Sequence, residues 1–128
     1  MKISVLMIAI ALCFTVAPTG AAQHGKQDPC ANATTTVEID ECVGKEYKKV
    51  DAELNRVYKQ LMTKLEDEGE KAALKTAQQA WLKYRDLNCE FESYENKGGT
   101  IYPIVYTGCL SAMTTTRTKE LREMLKDK

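Results

Sequence analysis

Apolar residues recur at alternating steps of four and three positions along the first long segment of the chain. A threonine hydroxyl at Thr35 stands three residues before Glu38, which is the spacing of a helix capping box. The stripe that follows consists of Val43, Tyr47, Val50, Leu54, Val57, Leu61 and Leu65. Such spacing places one apolar face on a helix and predicts a helix from about Thr36 to about Glu66.

A second helix is predicted to run from Asp67 to about Tyr94. Asp67 and Glu70 can cap its start, and Gly98-Gly99 can end it, since glycine adopts the left-handed conformation at low cost. The short connection to the first helix predicts an antiparallel hairpin. The stripe expected to face the core comprises Ala73, Leu74, Ala77, Trp81, Tyr84, Asn88 and Phe91, flanked by Ala80 and Leu87.

Residues 100–106 interrupt the helical pattern. They are rich in β-branched and aromatic side chains and contain Pro103, so we expect an extended, partly packed loop. The loop can present Tyr102 and Tyr106 as rigid contacts for a partner, or its aliphatic residues can plug the open end of the bundle. A third helix is expected from about Thr107, with a stripe of Leu110, Met113, Arg117, Leu121, Met124 and Leu125. The predicted fold is therefore an all-α three-helix bundle.

The first 22 residues have the pattern of a secretory signal peptide. Lys2 precedes an apolar run over 3–16, and Gly20 and Ala22 fit the small positions before a cleavage site. The run is shorter than the about 20 residues that a membrane span needs. Cys13 offers lipidation as an alternative, but the preceding Leu12 is too large for that signal. We expect one exported domain, residues 23–128, in the periplasm or outside the cell and without stable membrane anchoring.

Four cysteines remain in that domain, and an even number in an exported protein predicts disulfide bonds. The hairpin brings all four to the same end of the bundle, so geometry leaves three connectivities open. We predict pairing between sequence neighbours, Cys30–Cys42 and Cys89–Cys109. A zinc site is the alternative, but no CxxC pair exists and the single histidine, His24, stands near the new N-terminus. No metal or other cofactor is expected.

The charges argue against nucleic-acid binding and give no support to catalysis. Without Lys2, 17 basic residues face 18 acidic ones, and a neutral domain is not built to neutralise phosphates. Asp51 and Glu53 stand two positions apart on a helix and diverge, so they do not form an acid–base pair. No serine or cysteine of residues 23–128 has a histidine suited to act as its base. The residues therefore offer no catalytic constellation, and a non-enzymatic protein is expected.

The most distinctive stretch is 78–89, in which Trp81, Tyr84 and Arg85 lie on neighbouring helical positions. Arg85 can lie along the aromatic surface and face a ligand. Alternatively, Trp81 and Tyr84 belong to the core and Arg85 pairs with a carboxylate of a neighbouring helix. Asn55 and Tyr58 share a face of the first helix and are expected to form buried hydrogen bonds between helices.

These residues resemble the LprI-type lysozyme-inhibitor domain over roughly Cys30 to Leu125. The resemblance implies an all-helical, disulfide-linked exported domain, and for some members inhibition of lysozyme. The family's namesake is a lipoprotein, whereas this chain lacks a credible lipidation signal. The matching positions are Leu54, Asn55, Tyr58, Gln79, Trp81, Tyr84, Arg85, Asp86, Cys89, Gly98, Gly99, Thr100, Cys109, Leu110, Arg117 and Leu121.

The resemblance therefore favours a binding protein that blocks a lysozyme. Tyr102, Tyr106, Lys97 and Arg85 are the residues that we predict to bind this partner. A structural or immunity-type interaction module with another exported partner is the alternative. A wall-modifying hydrolase comes third, since histidine and metal ligands are missing from the pattern.

Overall fold

Three long helices and one short 3₁₀ turn make up the structure, which is a computed structural model describing residues 28–128. Helix α1 spans Thr36–Lys64, α2 spans Glu68–Glu92, the turn spans Tyr94–Asn96, and α3 spans Tyr102–Lys126. The predictions that fall on residues 1–27, among them the signal peptide, Cys13 and His24, lie outside the described residues. The all-α bundle expected from the sequence is confirmed.

Helix α1 begins as its capping box predicts. The backbone N–H of Glu38 donates to the Thr35 hydroxyl at 3.2 Å, and the Glu38 carboxylate accepts from the Thr35 N–H at 3.0 Å. The helix ends at Lys64, and the following Leu65 is extended and buried. The predicted boundaries are therefore right to within two residues.

The core is an aliphatic cluster between α1 and α3. Tyr58, Leu74, Trp81 and Leu125 pack around it and extend it towards α2. Burial of these side chains is the main favourable term for a bundle of this size. The buried members are Leu54, Val57, Leu61, Leu65 and Leu121, four of which belong to the stripe predicted on α1.

Helix α2 starts as predicted but turns a different face to the core. The Asp67 carboxylate accepts from the backbone N–H of Glu70 at 2.8 Å and caps the helix. The buried residues of α2 are Gln78, Arg85 and Cys89, whereas Tyr84 and Phe91 are exposed. The predicted core stripe of α2 is wrong at these two positions, because polar side chains take the buried positions and find partners on α1 and α3. It is also wrong at the exposed Ala73, Ala77, Ala80 and Leu87.

Gly98 ends the connection after α2 as the sequence predicts. Its φ of +82° lies in the left-handed region, where a side chain would clash with its own backbone. The chain then enters α3 within a few residues.

The extended loop predicted over 100–106 is wrong, because α3 already begins at Tyr102. Pro103 occupies the first turn, where its missing N–H would have no helical partner in any case and its fixed φ suits the helix. Ile104 and Val105 are half-buried, whereas Ile101 is exposed. The aromatic residues of this segment therefore stand on a helix.

The helices run up, down and up. Arg85, late in α2, meets Asp51 near the middle of α1, and Leu74, early in α2, packs on the leucine cluster near the end of α1. Helix α2 is likewise antiparallel to α3, because Cys89 is bonded to Cys109 at one end and Glu70 pairs with Lys128 at the other. Helices α1 and α3 therefore lie parallel, and their backbones approach most closely.

Both disulfide bonds lie at the end of the bundle where α1 and α3 begin. Cys30 is bonded to Cys42 with a Cα–Cα distance of 5.8 Å, and Cys89 to Cys109 with 5.5 Å. The pairing between sequence neighbours is confirmed. The first bridge fixes the leader to α1, and the second ties the end of α2 to the start of α3.

Lowering the pH should weaken an ionic link between α1 and α3. The Arg56 and Arg122 guanidiniums hold the pKa of Glu53 at about 2, the stronger effect coming from Arg56. A carboxylate with a depressed pKa contributes stability above its unfolded value, about 4.5, and loses it as the pH falls towards 2. We expect Glu53→Gln to lower the melting temperature at pH 7. As the pH falls from 4.5 to 2, the melting temperatures of the variant and the parent protein should approach each other.

Thermal melts between pH 7 and 2 measure this difference. Glu66→Gln is the matched control, since Glu66 is exposed and makes no ion pair within residues 28–128. A Glu53→Gln difference that stays constant down to pH 2 would contradict the assignment of the link.

Candidate partner-binding surface

Two tyrosines stand one helical turn apart at the start of α3. The ring centroids of Tyr102 and Tyr106 lie 6.0 Å apart, and their planes are inclined by 11°. Both side chains are half-buried, and the bridge at Cys109 follows Tyr106 by three residues. A stacked pair on a disulfide-tied helix start loses little conformational freedom when a partner binds.

Lys97 lies on the connection between α2 and α3, five residues before Tyr102. Its ammonium is 3.0 Å from the Glu90 carboxylate and 4.9 Å from the centre of the Tyr94 ring. The hydrogen bond to Glu90 raises the pKa of Lys97, so the cation is present throughout the physiological range. We refer to Tyr102, Tyr106 and Lys97 together as the aromatic end.

Arg85 lies beneath the surface between the three helices. Its guanidinium carbon is 5.5 Å from the Trp81 ring centre and 5.8 Å from that of Tyr47 on α1. Nη1 donates to the Thr114 hydroxyl of α3 at 3.2 Å, and Nε and Nη2 donate to the Asp86 carboxylate at 2.9 and 2.8 Å. Buried charges persist when they are paired and hydrogen-bonded in this way.

Asp51 adds a carboxylate from α1, with its oxygen 3.7 Å from Nη1 of Arg85. Of the two interpretations of Arg85, pairing with a carboxylate of a neighbouring helix is therefore observed. The Arg85 side chain packs against the rings of Trp81 and Tyr47 inside the bundle and does not point into solvent. Asp86, whose carboxylate is about half exposed, is its closest partner.

The surroundings of Arg85 also affect two tyrosine hydroxyls. Burial raises the pKa of Tyr47, and the nearby Arg85 partly offsets this effect. Burial raises the pKa of the Tyr106 hydroxyl, and the nearby Asp86 carboxylate raises it further. Both phenols consequently remain neutral hydrogen-bond donors at physiological pH.

Trp81 is enclosed by two guanidiniums. Arg117 of α3 places its guanidinium carbon 5.8 Å from the Trp81 ring centre, on a ring that Arg85 also contacts. Nε of Arg117 donates to the Gln78 side-chain oxygen at 3.0 Å, and Nη1 pairs with Glu120 at 2.8 Å. These contacts explain why Gln78 can occupy a buried position on α2.

Comparison with known proteins assigns the chain to a family. The model of the family described as "Lysozyme inhibitor LprI" matches residues 28–121. The chain belongs to the LprI family. The match covers all four bridged cysteines and the whole Arg85 network.

Two curated proteins are similar to this chain. The uncharacterized protein R02472 of Rhizobium meliloti (strain 1021) is 32% identical over 137 residues, which covers 98% of this chain and 96% of that protein. The uncharacterized protein YecT of Escherichia coli (strain K12) is 30% identical over 98 residues, covering 66% of this chain and 60% of YecT. No solved structure matches the chain significantly.

The LprI positions that sequence reasoning singled out have separate roles. Asn55 is exposed, and its amide donates to Asp51 of its own helix, so the bond between helices expected for it is wrong. Tyr58 packs on the leucine core, and Tyr84 is exposed. At Gly99 a Cβ would lie 3.3 Å from the Asn96 carbonyl oxygen, so the diglycine serves a close turn.

Sequence reasoning missed Tyr47, Gln78 and Thr114 as members of the Arg85–Trp81 network. A signal was present in the third stripe, where Arg117 occupies a position that otherwise holds apolar residues. A cation in a core stripe predicts a buried partner or an aromatic face.

Within residues 28–128 no three of the side chains suited to metal binding come together. In the same range none of the helices is both long and apolar enough for a membrane span. The arrangement that is present, stacked tyrosines beside a cation on a rigid support, is suited to recognition of another molecule.

Proposed function

We propose that the protein is exported and inhibits a lysozyme by binding it through the aromatic end. Membership of the LprI family over residues 28–121 supports the class of partner. The stacked Tyr102–Tyr106 pair, with the Lys97 cation on the connection that precedes it, supports the place of contact. The disulfide bonds support export, since they form and persist in oxidising compartments.

The chemistry of lysozyme's cleft suits this surface. Glycosidases bind sugar rings in a groove and place two carboxyl groups around the scissile bond. Flat aromatic rings can occupy the places of sugar rings, and an ammonium group can meet the carboxylates. Because the cysteine bridge fixes the tyrosines before contact, little entropy is lost on binding.

Arg85 has a positioning role in this proposal. It connects Asp86 and Thr114 with the rings of Tyr47 and Trp81, so it holds the helices that carry the aromatic end. It does not itself touch the lysozyme, because its side chain is buried.

The test measures lysis of bacterial cell walls by lysozymes of several classes, each titrated with the oxidised protein. We expect inhibition at micromolar protein, and we expect the double variant Tyr102→Ala/Tyr106→Ala to weaken it by roughly 30-fold or more, as for central aromatic contacts. Tyr84→Ala is the matched control, since Tyr84 is an exposed tyrosine on α2 and not part of the aromatic end. This variant should leave inhibition within about threefold of the parent protein.

Unchanged lysis by every lysozyme at micromolar excess would overturn the proposed function. Recovery of an exported protein other than a hydrolase in a pull-down would then support the interaction module. Inhibition that survives the double tyrosine variant would keep the lysozyme as partner and reject the aromatic end as its contact.

A further inference from the structure

Helix α2 and the 3₁₀ turn that follows it carry an exposed apolar stripe on the side turned away from the core. The large members of the stripe on α2 are Tyr84, Leu87 and Phe91, which are 59%, 56% and 78% exposed, and Tyr94 of the turn, 62% exposed, extends it. Ala80 and Ala77 continue the same line towards the helix start and are also exposed. From Ala77 onward the steps are three, four, three, four and three residues.

Such spacing is the pattern that one helix presents to another in a coiled coil. Single exposed apolar residues are ordinary on protein surfaces, but a continuous row of them marks an interaction site. Within residues 28–128 this row has no packing partner, because α2 uses Gln78, Arg85 and Cys89 to face α1 and α3. The strongest apolar periodicity of α2 therefore remains available for an external helix.

We propose that a second copy of this chain covers the stripe, with the two α2 helices packed antiparallel around a twofold axis. In that arrangement Phe91 meets Ala80 of the second copy, Tyr94 meets its Ala77, and Tyr84 meets its Leu87. The small residues stand at one end of the stripe and the aromatic ones at the other. Reversing the direction of the second copy places the rings of Phe91 and Tyr94 over alanines, which allows the two helices to approach closely.

Charge complementarity supports the same register. Lys83 and Glu90 border the stripe on one side, each directly before one of its members. In the antiparallel pair, Lys83 of each copy stands opposite Glu90 of the other, which gives two attractive contacts. Lys83 makes no ion pair in the part of the chain that the structure describes, and Glu90 is about half exposed beside Lys97.

The size of the surface is sufficient for a weak, specific dimer. A buried aromatic side chain covers about 150–250 Å². Three aromatic residues and a leucine from each copy then amount to roughly 1,000 Å² in total, at the lower limit of specific interfaces. A stripe that complements itself under a twofold rotation favours a second copy over an unrelated helix.

The mass of the oxidised protein in solution tests the proposal. Sedimentation equilibrium at concentrations up to about 100 µM should give twice the mass of one chain, since an interface of this size should associate there. Phe91→Glu should weaken association by at least about 30-fold, because it places a charge inside the apolar contact. Val37→Glu is the control, since Val37 is an exposed apolar residue of α1 that is not a member of the stripe, and it should not alter the mass.

Exchanging the charges tests the direction of packing. Lys83→Glu alone and Glu90→Lys alone should each weaken the dimer by about tenfold, because each creates two like-charged contacts. The double variant restores opposite charges, and so does a mixture of the two single variants. We expect both to associate about as tightly as the parent protein, and circular dichroism should show unchanged helix content throughout.

A monomer at every concentration would overturn the proposal. So would a dimer that Phe91→Glu leaves intact, or single charge variants that do not recover on mixing. If the protein is a monomer at every concentration and Phe91→Glu abolishes lysozyme inhibition, the stripe binds the lysozyme. That result would also contradict the proposal that a second copy covers the stripe. The proposal is independent of the proposed function, since a dimer can form whether or not a lysozyme binds the aromatic end.

Discussion

Replacing Leu121 by alanine is expected to lower the free energy of unfolding by about 3–4 kcal/mol. Leu121 is fully buried and is the α3 member of the leucine cluster that α1 otherwise supplies. Its truncation removes apolar contacts and leaves a cavity, because α1 and α3 already lie close and cannot fully collapse around the gap. Urea denaturation of the oxidised protein, followed by circular dichroism, measures the loss.

Met124→Ala is the matched control for this change. Met124 lies on the same helix three residues later but is exposed, so its truncation should cost no more than about 1 kcal/mol. A loss at Leu121 as small as that at Met124 would mean that the cluster is not the stabilising core.

Removing the Cys89–Cys109 bridge by changing both cysteines to alanine is expected to cost about 3 kcal/mol. The bridge closes a loop of 20 residues and joins two helices, so its loss gives the unfolded chain much new freedom. The native helices remain held by the core and do not gain the same freedom. Alanine suits both positions, since Cys89 is fully buried and a serine hydroxyl there would lack an assured partner. Urea unfolding of this variant beside the parent protein measures the cost.

The equivalent change at Cys30 and Cys42 should cost about 1 kcal/mol or less. This bridge closes a loop of similar length, 12 residues, but it holds only an exposed leader that can detach while the bundle stays folded. The freed leader regains entropy in the native state, which offsets most of the gain of the unfolded chain. Equal losses for the two bridges would show that the leader is part of the cooperative unit.

The first helix and the disulfide pairing were predictable because local rules decide them. The capping box needs only the four residues from Thr35 to Glu38, and the α1 stripe faces the aliphatic core. Pairing of neighbouring cysteines also follows the short loops between them. In these parts of the chain, no distant contact opposes the local preference.

The start of α3 was not predictable from the residues alone. Pro103 and the β-branched residues after it favour an extended segment in isolation, and Ile101 offers no side-chain cap. The Cys89–Cys109 bridge and burial against α1 hold the segment in a helix, and the proline fits only because it lies in the first turn. A tertiary constraint thus overrides a local preference.

The orientation of α2 was missed for a different reason. Its strongest apolar stripe runs through Tyr84 and Phe91, and periodicity assigns such a stripe to the core. The core face instead contains Arg85 and Gln78, which depend on Thr114 and Arg117 of α3 for their hydrogen bonds. A single-helix pattern contains no information about those partners.

For the predicted binding residues, the sequence indicated some of the local arrangement but not the elements that carry it. Tyr102 and Tyr106 were chosen as contacts from a loop, and they stand together on a helix turn because residues four apart face the same way. Arg85 was considered both as a ligand contact and as a structural cation, and its burial between three helices decides for the latter. Their part in binding a lysozyme stays a prediction.

Both disulfide bonds lie at one end of the bundle, so this end is cross-linked and the opposite end, the loose pole, is not. Fraying should begin around Glu66 and the C-terminal Lys128, where no disulfide bond within residues 28–128 resists opening. Limited trypsin digestion should therefore nick the chain first near Lys64 and Lys126. Affinity tags or fluorescent labels belong at this loose pole, since an attachment there leaves the opposite pole free.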